Sequence, residues 1–342
     1  MKFGAVPVAE AEGAILAHSV DLGGRRLRKG VVLHPADLMA LRESGHDQVT
    51  VARLDPGDLH EDAAAEALAR ALVPDPGAAG LRLSKAFTGR VNILADGPGV
   101  VTMKRDRLVA LNAVDPMITL ATVPEFQQMG AGGMVATVKI ISYGVAAADV
   151  ARACALGDGA LRLAQPVLRS ASLIITEIPG GAGDKGREAI AARVTALGME
   201  LSEVLSCRHE EAALAQAVAR ARGDLVLILT GSATSDAQDV GPRALRQAGG
   251  VVERFGMPVD PGNLLFLGAL GVRPVIGLPG CARAPALNGA DWVLSRVACG
   301  VAVTGADIAA MGVGGLLKEI PTRPMPRGGL SAARRAERGA AG

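Results

Sequence analysis

LVLILTGSATSDAQDVGPRA, residues 225–244, joins an unbroken apolar run to a loop of small residues, hydroxyls and two aspartates. Val226, Leu227, Ile228 and Leu229 show no polar alternation, so the pattern predicts a strand covered on both faces, as in a parallel α/β sheet. Thr230 and Gly231 end that strand, and a helix is expected around Ala244–Gln247. In open α/β sheets ligands sit beyond the carboxyl ends of the strands, where loop amides and helix N-termini offer donors to anions. The loop after Leu229 has that position.

The same grammar extends from Ala171 onward. Strands are expected at 172–176, 200–206 and 274–278, and helices at 186–197, 210–221 and 287–298. Alternation at these spacings argues for βαβ units and a mainly parallel sheet between two helical layers. Two strands besides the central one empty into loops of the same kind. These are TEIPGGAGDKG (176–186) and LPGCARAP (278–285), which join TGSATSDAQDV (230–240) as three candidate ligand loops. Glycine allows close backbone approach, and successive exposed amides form anion-binding nests, so a phosphate-bearing ligand suits them.

Earlier in the chain the reading is less regular. Residues 1–80 are expected as an α+β module with helices at 35–45 and 61–72 and a Pro/Gly linker at 73–80. Residues 81–145 read as a small β-rich module with strands at 90–94, 99–103 and 134–141 and one helix at 106–114. A connecting helix is expected within 146–169, the α/β domain over 170–312, and a tail over 313–342 with Arg334, Arg335 and Arg338 as solvated basic residues.

Composition narrows the function classes. With 2% aromatic residues there is little stacking surface for single-stranded nucleic acid, and a net charge of +2 without a basic block gives no stripe for nucleic acid or membrane. Cys154, Cys207, Cys281 and Cys299 are widely spaced with no CxxC pair, which reads as reduced thiols in a cytoplasmic protein. Glu10 and Glu12 precede any signal-like apolar stretch, and no uncharged run is long enough to span a membrane.

The C-terminal motifs resemble those of the molybdopterin-binding domain shared by molybdopterin molybdotransferases and adenylyltransferases. The resemblance rests on Thr230-Gly231-Ser232, Asp239-Val-Gly-Pro-Arg-Ala-Leu, Gly256-Met-Pro-Val-Asp-Pro-Gly262 and Gly277-Leu-Pro-Gly280, and spans roughly residues 170–300. Residues 12–20 resemble the opening of the molybdotransferase N-terminal region. The whole chain looks like the molybdopterin-binding half of bacterial fusions with a molybdenum-cofactor nucleotidyltransferase-like domain. The resemblance implies a three-layer α/β fold, molybdopterin or its nucleotide as ligand, Mg²⁺, and a homo-oligomer. It also implies a nucleotidyltransferase or molybdoenzyme as partner.

Carried onto this sequence, the resemblance makes Asp239 and Asp184 the candidate catalytic residues, with Asp239 also the Mg²⁺ ligand. The candidate cofactor-binding residues are Thr176, Glu177, Lys185, Thr230, Gly231, Ser232, Thr234, Ser235, Asp236, Pro261, Gly262, Pro279 and Gly280. Departures from the family pattern are specific. Gly-Gly is Gly231-Ser232, Val-Thr after the aspartate is Val240-Gly241, Pro-Gly-Lys-Pro is Pro261-Gly262-Asn263-Leu264, and Leu-Pro-Gly-Asn-Pro is Leu278-Pro279-Gly280-Cys281-Ala282. Binding through backbone amides tolerates such changes better than catalysis does.

Competing structural roles are equally explicit. Asp239 is well placed to cap a helix beginning near Gly241, and hydroxyls and aspartates fill turns for local reasons. Asp184 suits a helix N-terminus and Lys185 does not. Cys207 and His209 lack an orienting third group, and Cys281 reads as a small buried filler. Thr88, Gly89, Asn92, Asn112 and Asp115 form a polar set in the middle module that suits turn chemistry or a ligand held by a neighbouring subunit. The functional expectations are an enzyme of molybdenum-cofactor maturation, by molybdate insertion or nucleotidyl transfer, or else a non-catalytic molybdopterin carrier. A third is a related domain binding another nucleotide-like molecule.

Overall fold

In the computed structural model, which describes residues 1–317, Leu225–Leu229 is a fully buried strand inside a six-stranded sheet. The strands of this C-terminal domain are β1 (Ser170–Glu177), β2 (Glu200–Arg208), β3 (Leu225–Leu229), β4 (Val251–Phe255), β5 (Phe266–Leu270) and β6 (Arg273–Leu278). Their order across the sheet is β2-β1-β3-β6-β5-β4. The first four run parallel, and β5 and β4 complete the sheet antiparallel.

The helices are α1 (Arg187–Ala196), α2 (Glu211–Arg220), α3 (Val240–Gln247), α4 (Gly289–Ala298) and α5 (Gly305–Ala310). They form two layers because the strands present apolar residues on both faces. Leu225, Leu227 and Leu229 pack with Ile190 and Val194 of α1 and Val293 and Leu294 of α4. Val226 and Ile228 point the other way, into a cluster with Leu214 and Val218 of α2 and Ala244 and Leu245 of α3. The expected three-layer, mainly parallel α/β fold is therefore present.

The order reverses between β1 and β3. From β1 the chain crosses through α1 to the sheet edge at β2, then returns through α2 on the opposite face to β3 on the far side of β1. Right-handed crossovers in opposite directions place their helices on opposite faces. The loops after β1 and β3 thus diverge at the sheet's carboxyl edge, the geometry that opens a switch-point crevice in sheets of this kind.

The antiparallel pair is a departure from the expected strand set. Gly268 breaks the strand pattern of β5 in sequence, but the backbone of Val251 in β4 passes so close that any Cβ at 268 would collide with it. Phe266 similarly lies flat over Gly277 of β6, the one large aromatic among the fully buried side chains.

The earlier units divide differently from the expected boundary near residue 80. Ala64, Leu68 and Leu72 of the helix Glu61–Leu72, with Val73, share one core with Val91, Ile93, Val138 and Ile140 of the β-rich module. The strand Asp58–His60 pairs with Gly144–Ala146. Residues 73–80 contain buried Val73 and the short helix Pro76–Ala79, so they belong to this unit. The expected connecting helix, observed as Ala147–Gly157, buries Val150 and Ala153 in the same core, and Leu161–Ala164 pairs with Gly99–Met103. The middle unit accordingly runs from about residue 58 to 164. The N-terminal unit keeps its own core around Val8, Leu16, Leu33, Leu41 and Val51.

Residues 313–317, expected as tail, continue the C-terminal domain: Leu317 N donates to Asp260 O at 2.8 Å, and Asp260 N to Gly315 O at 2.9 Å. Arg334, Arg335 and Arg338 lie outside the described residues. Among the described residues no helix is long and apolar enough to cross a membrane.

Candidate functional site

Thr176, the buried penultimate residue of β1, stitches the crevice together. Its hydroxyl accepts from Gly231 N at 2.8 Å and shares a hydrogen bond with His209 Nδ1, also at 2.8 Å. Gly231 is required by this approach, since a Cβ there would stand 2.6 Å from Thr176 O. Thr176 and Gly231, both expected at a ligand site, are thus brought together, but Thr176 spends its hydroxyl on the scaffold. His209 pairs with Thr176, and no hydrogen bond joins it to Cys207. Burial, with help from the Glu177 charge, raises the Cys207 thiol pKa, which leaves it a poor nucleophile.

Along the second loop the hydroxyls of Thr230 and Thr234 are buried and 3.4 Å apart, whereas Ser232, Ser235 and Asp236 are exposed. Asp236 Oδ1 accepts from Gln238 N at 2.7 Å, a local turn bond. Asp239 caps α3: Oδ1 accepts from Val240 N at 2.7 Å and Oδ2 from Ser235 N at 2.9 Å. Its capping role is therefore realised. The side chain stays partly exposed, and a carboxylate has about four lone-pair sites, so acceptor capacity is left.

The first loop bends tightly, with Gly181 N on Ile178 O at 3.0 Å and Lys185 N on Ala182 O at 3.1 Å. Glu177, Asp184 and Lys185 are all exposed. Gly186, at φ 98°, starts α1 without a side-chain cap. A cleft of about 790 Å³ opens beside this loop, lined by Glu177, Gly181, Asp184 and Arg187 and by Leu201 and Val204 of β2.

The third loop is the best braced. Pro279 is buried, Gly280 is exposed, and Gly280–Arg283 forms a single 3-10 turn. Cys281 is exposed and its Sγ accepts from the buried Asn288 Nδ2 at 3.0 Å, so the expected buried filler is instead a surface thiol. Asn288 caps α4, and Gly289 N at that helix start donates to Pro261 O at 2.8 Å. Gly262, at φ 144°, is buried where a Cβ would come within 2.9 Å of Gly289 N. Pro261 and Gly262 therefore support the base of the third loop through their backbone.

Two arginines that the sequence reading passed over organise these loops. Arg193 of α1 pairs with Asp291 at 2.5 Å and donates to the carbonyls of Ala282, Ala284 and Ala286 at 2.9–3.0 Å. Arg283 donates to Thr230 O of the second loop at 2.9 Å and to Lys185 O and Gly183 O of the first. Gly186 lets the chain approach, because a Cβ there would lie 2.7 Å from Arg283 Cα. Burial lowers the Arg283 pKa. A guanidinium still stays protonated at neutral pH. An arginine in a loop with three acceptor carbonyls around it carries no sequence signal, since those carbonyls come from elements 50–100 residues away.

In the middle unit the polar set is satisfied locally. Gly89 N donates to Asp62 Oδ1 at 2.6 Å, Lys139 Nζ to Thr88 O at 2.5 Å and Thr137 Oγ1 to Asn92 Oδ1 at 3.0 Å. Asn112 brackets the Leu120 backbone and Asp115 Oδ1 accepts from Met117 N at 2.7 Å. Among the described residues no three His, Cys, Asp or Glu side chains converge as a metal-ligating group.

Residues 156–297 match the family model described as "Probable molybdopterin binding domain", and residues 5–53 match one described as a domain of unknown function. Among solved structures, the chain is similar to the molybdopterin biosynthesis MoeA protein of Pyrococcus horikosii. That similarity is at 14% identity, over 88% of this chain and 76% of that one, with a TM-score of 0.30. It is also similar to a molybdenum cofactor biosynthesis protein of Pyrococcus furiosus at 13% identity, over 90% of this chain and 65% of that one, with a TM-score of 0.24. No curated protein matches the sequence.

Proposed function

With residues 156–297 forming a domain of the molybdopterin-binding family, we propose that the chain binds molybdopterin or its nucleotide derivative in the crevice between β1 and β3. It acts there in molybdenum cofactor biosynthesis. The observation that carries this reading is the convergence of three Gly-rich loops at the reversal point of a parallel sheet, tied together by Thr176 and Arg283. Backbone amides of the first and second loops would supply donors to phosphate oxygens, and Ser232, Ser235 and Asp236 are exposed on the second loop.

Mg²⁺, if bound, would be held by the spare acceptor sites of Asp239 together with ligand oxygens and water, and would neutralise charge on phosphate or molybdate oxygens. Asp184, exposed at the turn before α1, is a further carboxylate on the loops of that edge, with Glu177 and Asp236. In the enzymatic form of this reading the chain inserts molybdate or transfers a nucleotidyl group. The carrier form, in which it delivers the cofactor to a nucleotidyltransferase or molybdoenzyme, draws on Asp239 itself. Both of its oxygens already accept backbone donors, as a cap requires and a dedicated metal ligand does not.

Incubation of the protein with molybdopterin, Mg²⁺, molybdate and ATP or CTP, with bound and converted cofactor followed by mass spectrometry, separates these forms. Conversion that Asp239→Ala abolishes makes it an enzyme. Binding without conversion makes it a carrier, and absence of binding sinks the molybdopterin reading.

A further inference from the structure

Arg283, on the third loop, reaches carbonyls of both the first and the second. A guanidinium has five N–H donors. Three of its hydrogen bonds go to Thr230 O, Lys185 O and Gly183 O, which leaves two donors with no acceptor among the described residues. Its surroundings also leave its charge unanswered. Arg193, on the same side of the sheet, has Asp291 at 2.5 Å, but among the described residues no carboxylate lies within ion-pair distance of Arg283. Arg296 likewise has no carboxylate within ion-pair distance among the described residues, although the charges of Asp307 and Glu125 bear on it, whereas only burial acts on Arg283.

A partly buried cation without a counter-charge is held at a cost that an anion would offset. Here the cost is imposed by the fold, because the three carbonyls and the contact at Gly186 fix the guanidinium in place. The ammonium of Lys185, by contrast, is on an exposed side chain, and it is the Lys185 carbonyl that accepts from Arg283. A planar fork with unspent donors is suited to an oxyanion, and its pre-organisation means little side-chain entropy is lost on binding.

We propose that Arg283 is the specificity-determining residue of this crevice: it takes the phosphate of the ligand on its two unspent donors while its other donors hold the three loops in register. This rests on the molybdopterin reading for the identity of the ligand, and on the geometry alone for the preference for an oxyanion. The role is positional and electrostatic; no covalent step is assigned to it.

The test compares the full-length protein with Arg283→Gln and Arg283→Lys by isothermal titration calorimetry. The titrants are molybdopterin, its dephosphorylated form and inorganic pyrophosphate, and thermal melts establish that each variant is folded. Wild type should prefer the phosphorylated pterin by at least about tenfold, the scale of a charged hydrogen bond. Gln should erase that preference while binding the dephosphorylated form, and Lys should keep part of it because the charge persists. Equal weakening of both pterins by Gln, with the preference intact, would overturn the proposal and reduce Arg283 to a loop brace. Pyrophosphate binding that depends on Arg283, without binding of either pterin, would sink the molybdopterin reading and uphold the anion anchor. Failure of the wild type to bind any of the three titrants would overturn both.

Discussion

Asp239 illustrates how one side chain can carry both a structural and a functional role, and how the two are separated. As the α3 cap it accepts from Val240 N on Oδ1 and from Ser235 N on Oδ2, and an asparagine, with one side-chain oxygen, can keep only one of these two bonds. Asp239→Ala should therefore cost about 1 kcal/mol of stability, and Asp239→Asn, which keeps one of the two acceptors, less than that, as measured by urea denaturation. If the negative charge serves a metal-bridged ligand, Asn should lose Mg²⁺-dependent binding while the protein remains folded. Equal binding by wild type and Asn would assign the carboxylate to capping alone. The same residue-scale logic separates Thr176 from the exposed Ser232. The first is committed to Gly231 and His209, while the second has its surroundings open to a ligand.

Among the elements, the central strands are specified by apolar runs, but their spacing is specified by glycine. β6 lies under the ring of Phe266, which occupies the volume a Cβ at Gly277 would need. Gly277→Ala should destabilise the protein by about 1–3 kcal/mol, the usual cost of overpacking a well-filled core. A chemical-denaturation midpoint lowered without change in slope is the expected signature; an unchanged midpoint would mean that β5 and β6 can separate freely. The antiparallel β4–β5 pair escaped the sequence reading for the same reason. Gly268 looks like a strand breaker until the neighbouring backbone is seen to need the space, and only pairing reveals that need. Helices α1, α2 and α4 were legible to within a few residues.

At the scale of the molecule, the α/β domain has cores drawn entirely from residues 168–317, split into one cluster on each face of its sheet. Its contacts with the middle unit include Arg296 over the Phe126 ring at 4.0 Å, a partly buried cation–π contact of a kind worth about 0.5–2 kcal/mol. A fragment from residue 165 to the C-terminus should therefore unfold cooperatively on heating, at a temperature modestly below that of the same domain in the full chain. Circular dichroism melting checks this, and a broad, non-cooperative loss of signal would show that the middle unit completes the core. The middle unit itself was read poorly because its core unites the helix Glu61–Leu72 with strands beyond residue 90 across a Pro/Gly stretch that has the composition of a linker.

What the sequence by itself determined is the set of features encoded locally. Continuous apolar runs at 172–176, 225–229 and 274–278 demand strands buried on both faces, the intervening amphipathic segments demand covering helices, and Gly-rich stretches after those strands demand loops at one edge. From those follow the parallel α/β layers and the neighbourhood of the candidate site. What only the tertiary structure decided is which polar groups that neighbourhood spends on itself. Thr176 turned inward to Gly231, Asp239 to the head of α3, and Arg283 to carbonyls of two other loops. Hydrogen bonds between residues distant in sequence depend on the three-dimensional meeting of elements, so no local pattern distinguishes a side chain that braces the site from one left to meet a ligand.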